Sequence, residues 1–169
     1  AEAWTDPKLL ARLFLTAFWD NVGVVRADGR TSATVLAFPW NLADTGEIEG
    51  PAYAMAVTKD PWTPDLRAAV LRTVLRLAGD MTFTSLDPRG AGTFALEGKE
   101  AVLFVWQNLE GWTDRPGSVW EVDLPAWARL AELWGFDGLR RTIPVQGGKV
   151  AIRDLPGNET YMLRVPRPH

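Results

Sequence analysis

Apolar residues recur at helical spacing in two segments of the first half of the chain. The first segment starts at Thr5-Asp6-Pro7, a capping residue followed by a proline in the first turn, and Gly23 ends it after about Asn21. Its apolar positions are Leu9, Leu10, Leu13, Phe14, Ala17 and Phe18. The second segment starts at Thr63-Pro64-Asp65 and stops at Gly79. Its stripe is Leu66, Val70, Val74 and Leu77, with Arg67, Arg72 and Arg76 away from it. Both segments predict helices.

Short apolar runs between these helices predict strands. Thr34–Phe38 is such a run, and Pro39 halts it. Tyr53–Val57 lacks clear alternation, which is typical of a buried strand. The polar, acidic stretch Asn41–Gly50 between them predicts a loop. Helix and strand signals therefore alternate up to about residue 80.

From Met81 onward the pattern changes to short strands separated by turn residues every 8 to 12 positions or so, which is typical of an all-β sandwich or barrel. The predicted strands are Met81–Leu86, Thr93–Glu97, Ala101–Gln107, Ser118–Leu124, Ala128–Leu133, Arg141–Val145, Lys149–Leu155 and Thr160–Val165. The sequence therefore predicts an α+β protein. An N-terminal α/β segment over residues 1–80 would precede an antiparallel β-sandwich of about eight short strands over residues 81–169.

Three local patterns refine the predicted sandwich. Gln146–Lys149 contains two glycines and predicts a tight hairpin turn, because glycine adopts positive φ angles readily. Val102–Trp106 is apolar on both faces, which indicates a central strand. In Val119–Leu124, Trp120, Val122 and Leu124 alternate with two acidic residues, so we expect these three to face the core.

Composition excludes much enzyme chemistry. The chain has no cysteine, so it has no disulfide, no thiolate nucleophile and no cysteine metal site. Its single histidine is the final residue, His169, which excludes Ser-His-Asp and Cys-His catalysis and histidine-rich metal sites. No phosphate-binding loop is present, since Gly90-Ala91-Gly92 lacks the third glycine and the helix of a dinucleotide fingerprint. We therefore expect no cofactor and no metal.

Charge and hydropathy restrict the partners. The net charge of −3 argues against a nucleic-acid partner held by phosphate contacts. No apolar run approaches the roughly 18 residues that span a bilayer, and we expect no signal peptide in the N-terminal residues, which lack a basic and an apolar region. The chain begins with alanine, so we expect a processed product, a cloned piece or a fragment of a longer chain.

Carboxylates are the remaining acid–base groups. Glu121 and Asp123 lie two residues apart on one strand, about 7 Å, within the separation that glycosidases use. They would share an open strand face and not a cleft, which favours solvated surface. Asp44, Glu47 and Glu49 supply oxygen ligands of the kind calcium binds, but their spacing matches no known calcium loop.

Tryptophan is unusually frequent, with nine residues, and most of these are expected to fill the core. Trp112 lies in a predicted polar loop, and Trp40 and Trp62 lie at the ends of predicted elements. These three are the candidates for exposed aromatic side chains that contact a sugar ring or a protein. Partial burial against their own loops is the alternative.

The last third of the chain carries motifs of a known kind. These are Ala131–Gly135, Thr142–Ile152 and Leu155–Val165, the last of the form Leu-Pro-x-x-Glu-Thr-x-x-Leu-Arg-Val. They resemble the C-terminal antiparallel β-sandwich of many glycoside hydrolases. Residues 53–106 resemble the join between an α/β domain and that sandwich in the β-galactosidase type of clan A. The resemblance carries over no catalytic carboxylates, because these belong to a barrel domain for which the chain is too short.

Three functions follow as hypotheses. The first is a non-catalytic ancillary part of a glycoside hydrolase that supports, orients or oligomerises a catalytic barrel, or contacts a glycan. The apolar residues Phe14, Phe18 and Trp19 would supply a partner-facing surface, with core burial as the commoner explanation. The second is a free-standing carbohydrate-binding module that uses exposed tryptophans. The third is a small hydrolase that uses carboxylates alone.

Overall fold

A computed structural model describes residues 6–23, 56–59, 62–64, 66–86, 94–108, 116–157 and 159–168. The chain divides into two compact units, residues 1–76 and 77–169. The predicted boundary at residue 80 stays a prediction. The predicted strand Thr34–Phe38 and the predicted loop Asn41–Gly50 lie outside the described residues. None of the described helices combines the length and apolarity that crossing a membrane needs.

Helix α1 of the first unit spans Pro7–Gly23, as the sequence predicts. Asp6 caps it, because its Oδ1 accepts the backbone N–H of Lys8 at 2.8 Å. The buried face differs from the predicted one. Its buried residues are Leu10, Ala11, Leu15, Phe18 and Trp19. The helix is apolar around most of its circumference, so its pattern does not select one face.

Burial of Phe18 and Trp19 decides between the two interpretations of this helix. Trp19 is only 1% exposed, and its ring meets the Phe18 ring edge-on at 5.2 Å. Phe14 is partly buried. Core burial is therefore the role of Phe18 and Trp19, the explanation that the sequence favours.

Strands β1 (Ala56–Lys59) and β2 (Trp62–Pro64) pair antiparallel, and helix α2 (Leu66–Ala78) follows them. Residues predicted as the helix cap, Thr63 and Pro64, therefore belong to a strand. Val70, Val74 and Leu77 are buried as predicted. Leu66 is exposed and Arg67 is buried, the reverse of the prediction. Arg67 stands three residues before Val70, so it continues the buried stripe, and its aliphatic stem tolerates burial.

The described part of the second unit contains the eight strands that the sequence predicts. They are β3 (Thr82–Leu86), β4 (Phe94–Glu97), β5 (Ala101–Asn108), β6 (Pro116–Asp123), β7 (Leu130–Gly135), β8 (Gly138–Pro144), β9 (Lys149–Pro156) and β10 (Glu159–Pro166). A six-stranded sheet has the order β3-β4-β5-β10-β7-β8, and β6 pairs with β9 in a second sheet. All of these pairs are antiparallel.

The two sheets share one apolar core, which gives the unit a sandwich-like arrangement. The small sheet contributes Trp120, Val122, Val150, Ile152 and Leu155, and the large sheet contributes Ala131, Leu133, Tyr161, Leu163 and Val165. We call the face of the large sheet that carries these residues its inner face and the opposite face its outer face. The central position of β5 and the inward direction of Trp120, Val122 and Leu124 are confirmed.

The tight turn at Gln146–Lys149 is confirmed, with Gly147 and Gly148 at φ of 72° and 68°, but the prediction that it joins the two strands of a hairpin is wrong. The strands on either side belong to different sheets, since β8 lies in the large sheet and β9 in the small one. The turn therefore carries the chain from one layer to the other. The backbone N–H of Leu124 donates to the Gly148 carbonyl at 2.8 Å and fixes the turn beside the end of β6.

Candidate functional site

The side chains that the sequence selects for carbohydrate contact lie outside what the structure describes. Trp40 and Trp112 lie outside the described residues, and Trp62 is the first residue of β2, with its side chain outside the description. Their role stays a prediction. The acidic residues Asp44, Glu47 and Glu49 also lie outside the described ranges.

Glu121 and Asp123 lie on the solvent side of β6, where both are exposed. The Asp123 carboxylate pairs with the Lys149 ammonium at 3.2 Å, on the opposite strand of the small sheet. The interpretation of Glu121 and Asp123 as solvated surface residues is confirmed, because both side chains face water.

The most unusual polar group of the second unit is the ion pair between Arg140 and Glu159. The Glu159 side chain is completely buried, and its Oε1 lies 2.5 Å from Nη2 of Arg140, whose side chain is 22% exposed. The guanidinium also donates from Nε to Oδ1 of the exposed Asp137 at 2.8 Å. Arg140 therefore joins a buried carboxylate to a surface carboxylate.

An irregularity in the β7–β8 pairing brings Arg140 to this position. Leu133 pairs with Arg141 and Trp134 pairs with Leu139, so Arg140 is the extra residue of a β-bulge. The Arg140 guanidinium consequently reaches over the inner face, 5.3 Å from the centre of the Tyr161 ring. It also lies 5.7 Å from the centre of the Phe136 ring. These contacts are cation–π interactions, and they cover the charged group with apolar surface.

Tyr161 links the ion pair to the turn that follows β9. Its hydroxyl lies 2.8 Å from the Pro156 carbonyl, to which it donates, and 3.3 Å from Oε2 of Glu159. Asn108, at the end of β5, donates from Nδ2 to the same carbonyl at 3.2 Å. The buried polar cluster of Arg140, Glu159 and Tyr161, which we call the Arg140 cluster, thus holds two turns and the end of β5 together.

Aromatic rings connect the Arg140 cluster to the centre of the core. Trp106 stacks on Tyr161 with ring centres 6.0 Å apart, and on Trp120 of the small sheet with centres 5.6 Å apart. The interplanar angles are 27° and 21°, an offset-stacked arrangement. The stack runs from the large sheet to the small sheet, so it joins the two layers.

Burial and charge shift two pKa values in the cluster. Burial raises the pKa of Tyr161, and the negative charge of Glu159 raises it further. Burial by itself lowers the pKa of Arg140, but the hydrogen bond to Asp137 and the charge of Glu159 outweigh it, so that pKa is raised. At neutral pH the cluster therefore holds a cationic arginine and a neutral phenol.

We expect stability to fall above about pH 10, the ordinary pKa of tyrosine, because the unfolded chain loses its phenolic protons before folded Tyr161 does. Below pH 10 the contribution of the raised pKa is fully present. The free energy of unfolding should fall by at most about 1.4 kcal/mol per pH unit through this one group. Urea unfolding between pH 7 and pH 11 measures it. In Tyr161→Phe this part of the slope should vanish, whereas an unchanged slope would contradict the assignment.

The Arg140 cluster functions as a structural tie. Arg140 holds the Glu159 carboxylate, and the Tyr161 hydroxyl lies within hydrogen-bonding distance of it, so both oxygens are engaged inside the fold. The tyrosine hydroxyl bonds a backbone carbonyl five residues upstream, as in the tyrosine corner of other sandwiches. Among the described residues no group of three acidic or histidine side chains is arranged to hold a metal.

Sequence reasoning did not single out Arg140, Glu159 or Tyr161. Glu159 and Tyr161 belong to the C-terminal motif. Glu159 is a charged residue at the start of an apolar strand, and this pattern could have indicated a buried charge. Arg140 had no such signal, because the predicted strand began one residue later, at Arg141, and the bulge depends on the pairing with β7.

The comparison with solved structures gives a partial likeness. No family model and no curated protein matches the chain. A GH30 endoxylanase from Clostridium papyrosolvens C71 is a structural neighbour with a TM-score of 0.48 and 15% sequence identity. The match covers 63% of this chain and 28% of the endoxylanase chain, so this chain corresponds to about a quarter of that protein. A likeness of this extent establishes neither family nor activity.

Proposed function

We propose that the chain is a non-catalytic ancillary part of a glycoside hydrolase. In this proposal the second unit is a sandwich that supports and orients a catalytic barrel located elsewhere. The observation that carries the proposal is that residues of the C-terminal motif are buried and hold the fold together. Leu155, Glu159, Tyr161 and Leu163, all motif positions, are at most 1% exposed and lie in the core or the Arg140 cluster.

The charged residues of the second unit support the same proposal. Glu132 pairs with Arg164, Glu159 and Asp137 pair with Arg140, and Glu97 pairs with Arg167. A glycosidase needs two carboxylates across a cleft, one of them with a raised pKa. Here these carboxylates neutralise guanidinium groups, and the Glu132–Arg164 pair joins the neighbouring strands β7 and β10, which suits a support domain.

The C-terminal end of the chain is tied to the sheet in the same way. Arg167 donates its backbone N–H to the Glu100 carbonyl at 2.7 Å and its Nε to the Gly98 carbonyl at 3.2 Å. Its guanidinium also lies 5.1 Å from the centre of the Trp127 ring. These contacts hold the residues after β10 against the β4–β5 turn at this end of the large sheet.

The partner in this proposal is a catalytic barrel, in the same polypeptide or in a partner chain. We also propose that the chain associates with further copies of itself. We also propose that residues 1–80 form an α/β segment joining barrel and sandwich. The resemblance of residues 53–106 to such a join motivates this part.

The test combines two measurements on the purified chain. Light scattering, alone and with any co-purifying polypeptide, should detect a stable complex with a larger chain. Assays with nitrophenyl glycosides and β-linked polysaccharides should show no hydrolysis by this chain alone. A clean monomer would count against the proposal and favour a free-standing carbohydrate-binding module that uses Trp40, Trp62 or Trp112. Hydrolysis by the isolated chain would overturn it in favour of a carboxylate hydrolase.

A further inference from the structure

The outer face of the six-stranded sheet is buried over its central strands and exposed at β7 and β8. Leu103, Val105 and Met162, on β5 and β10, are at most 1% exposed. At the other end of the same face, Leu130 is 38% exposed and Leu139 is 51% exposed. Large apolar side chains therefore face solvent on one limited part of this face.

Strand register places the residues of this exposed part in rows. Arg164, Glu132 and Thr142 lie side by side on β10, β7 and β8. The next row contains Trp134 and Leu139, and the row on the other side contains Leu130. We call Leu130, Glu132, Trp134, Leu139, Thr142 and Arg164 the outer patch. A polar row thus runs between two apolar rows.

Glu132 holds the two largest side chains of the outer patch in place. Its Oε2 accepts a hydrogen bond from Trp134 Nε1 at 3.3 Å and another from Arg164 Nη1 at 3.2 Å. The Arg164 and Glu132 side chains are 24% and 22% exposed. Both of these bonds use Oε2, so neither of them occupies Oε1 or the other guanidinium donors of Arg164. A tryptophan ring and polar groups are therefore fixed beside each other before any ligand arrives.

Size and charge restrict what the outer patch can bind. Three strands and five positions along β7 span about 10 Å by 14 Å, a small fraction of the roughly 800 Å² that each partner of a stable protein complex buries. Its one carboxylate and one guanidinium neutralise each other. The matching ligand is small and neutral, with both an apolar face and hydrogen-bonding groups.

We propose that the outer patch binds a neutral oligosaccharide. The apolar face of one sugar ring packs on Trp134, and the hydroxyl groups bond to Glu132, Arg164 and Thr142. Leu130 and Leu139 border the neighbouring rings. The choice of a sugar among small neutral ligands rests on the proposed function. The outer patch uses other residues than the candidates Trp40, Trp62 and Trp112.

Isothermal titration of the purified chain with xylohexaose, cellohexaose and mannohexaose tests the proposal. At least one of them should bind, and Trp134→Ala should weaken its binding about tenfold or more, since stacking on an aromatic ring contributes on that scale. Trp127→Ala is the matched control, because Trp127 packs against the inner core and Arg167, and it should leave the affinity unchanged.

A second variant keeps the test decisive if Trp134→Ala does not fold. Leu139→Asp changes an exposed residue, so the fold should persist while binding weakens several-fold. Arg164→Lys should weaken binding as well, because lysine lacks the fork of donors.

Four outcomes would overturn the proposal: no binding of any of the three oligosaccharides, equal affinity in Trp134→Ala, loss of binding only on changing Trp40, Trp62 or Trp112, or a native assembly that Leu139→Asp dissociates. The last would show that the outer patch contacts a second copy. A chain that joins a larger partner without binding sugars would leave the proposed function standing and this inference refuted. Sugar binding by a clean monomer would support this inference and count against the proposed function.

Discussion

Replacing Arg140 with leucine is expected to lower the free energy of unfolding by about 3–5 kcal/mol. Glu159 is completely buried, and this change removes its cation while leaving the carboxylate inside the protein. Leucine keeps apolar contact with the Phe136 and Tyr161 rings, so the loss reports mainly the unpaired charge. Urea unfolding at pH 7, followed by tryptophan fluorescence, measures the change.

Arg141→Leu is the matched control for this prediction. Arg141 is the next residue on β8 and is exposed, so its replacement should change the free energy of unfolding by about 0.5 kcal/mol or less. The double variant Arg140→Leu with Glu159→Leu should recover much of the lost stability, because both charges are then absent. Equal effects of the two single arginine variants would show that the ion pair does not stabilise the fold.

Trp120→Ala is expected to cost about 3–5 kcal/mol, the range for removing a large buried aromatic side chain. Trp120 is 3% exposed and is the side chain of the small sheet that stacks on Trp106 of the large sheet. Its loss leaves a cavity between the layers and ends the aromatic stack that continues to Tyr161. Thermal and urea unfolding of the variant measure the effect.

Val119→Ala provides the comparison on the neighbouring residue. Val119 lies on the same strand but is 40% exposed, so its truncation should cost well under 1 kcal/mol. If both variants unfolded at the same urea concentration as the unchanged protein, the small sheet would contribute little to the shared core. The sandwich-like packing would then not be what stabilises this unit.

The local pattern of the sequence predicts the elements of the second unit well. Each of its eight strands overlaps a predicted one, and the Gly147-Gly148 turn has the positive φ angles that the two glycines indicate. The inward side of β6 also follows from its alternation. These features depend on residues close in the chain, whose steric preferences act before any long-range contact forms.

Predictions about helix faces are weaker for a physical reason. On α2 the buried stripe starts at Arg67 and not at Leu66, and on α1 Ala11 and Leu15 are buried although the stripe excluded them. When apolar residues surround most of a helix, hydropathy alone does not choose the buried side. The neighbouring elements choose it, and a long aliphatic stem lets an arginine take part.

The sequence alone determined the existence of both described helices, the eight strands of the second unit and the tight turn at Gly147-Gly148. It also determined the absence of cysteine and of any histidine before the final residue. Tertiary structure decided which polar residues matter in the described part. Arg140 meets Glu159 through a bulge between β7 and β8, and Glu132 meets Arg164 through the pairing of β7 with β10. Both contacts join residues far apart in the chain. Periodicity records only near neighbours, whereas strand order and register set which distant side chains face each other.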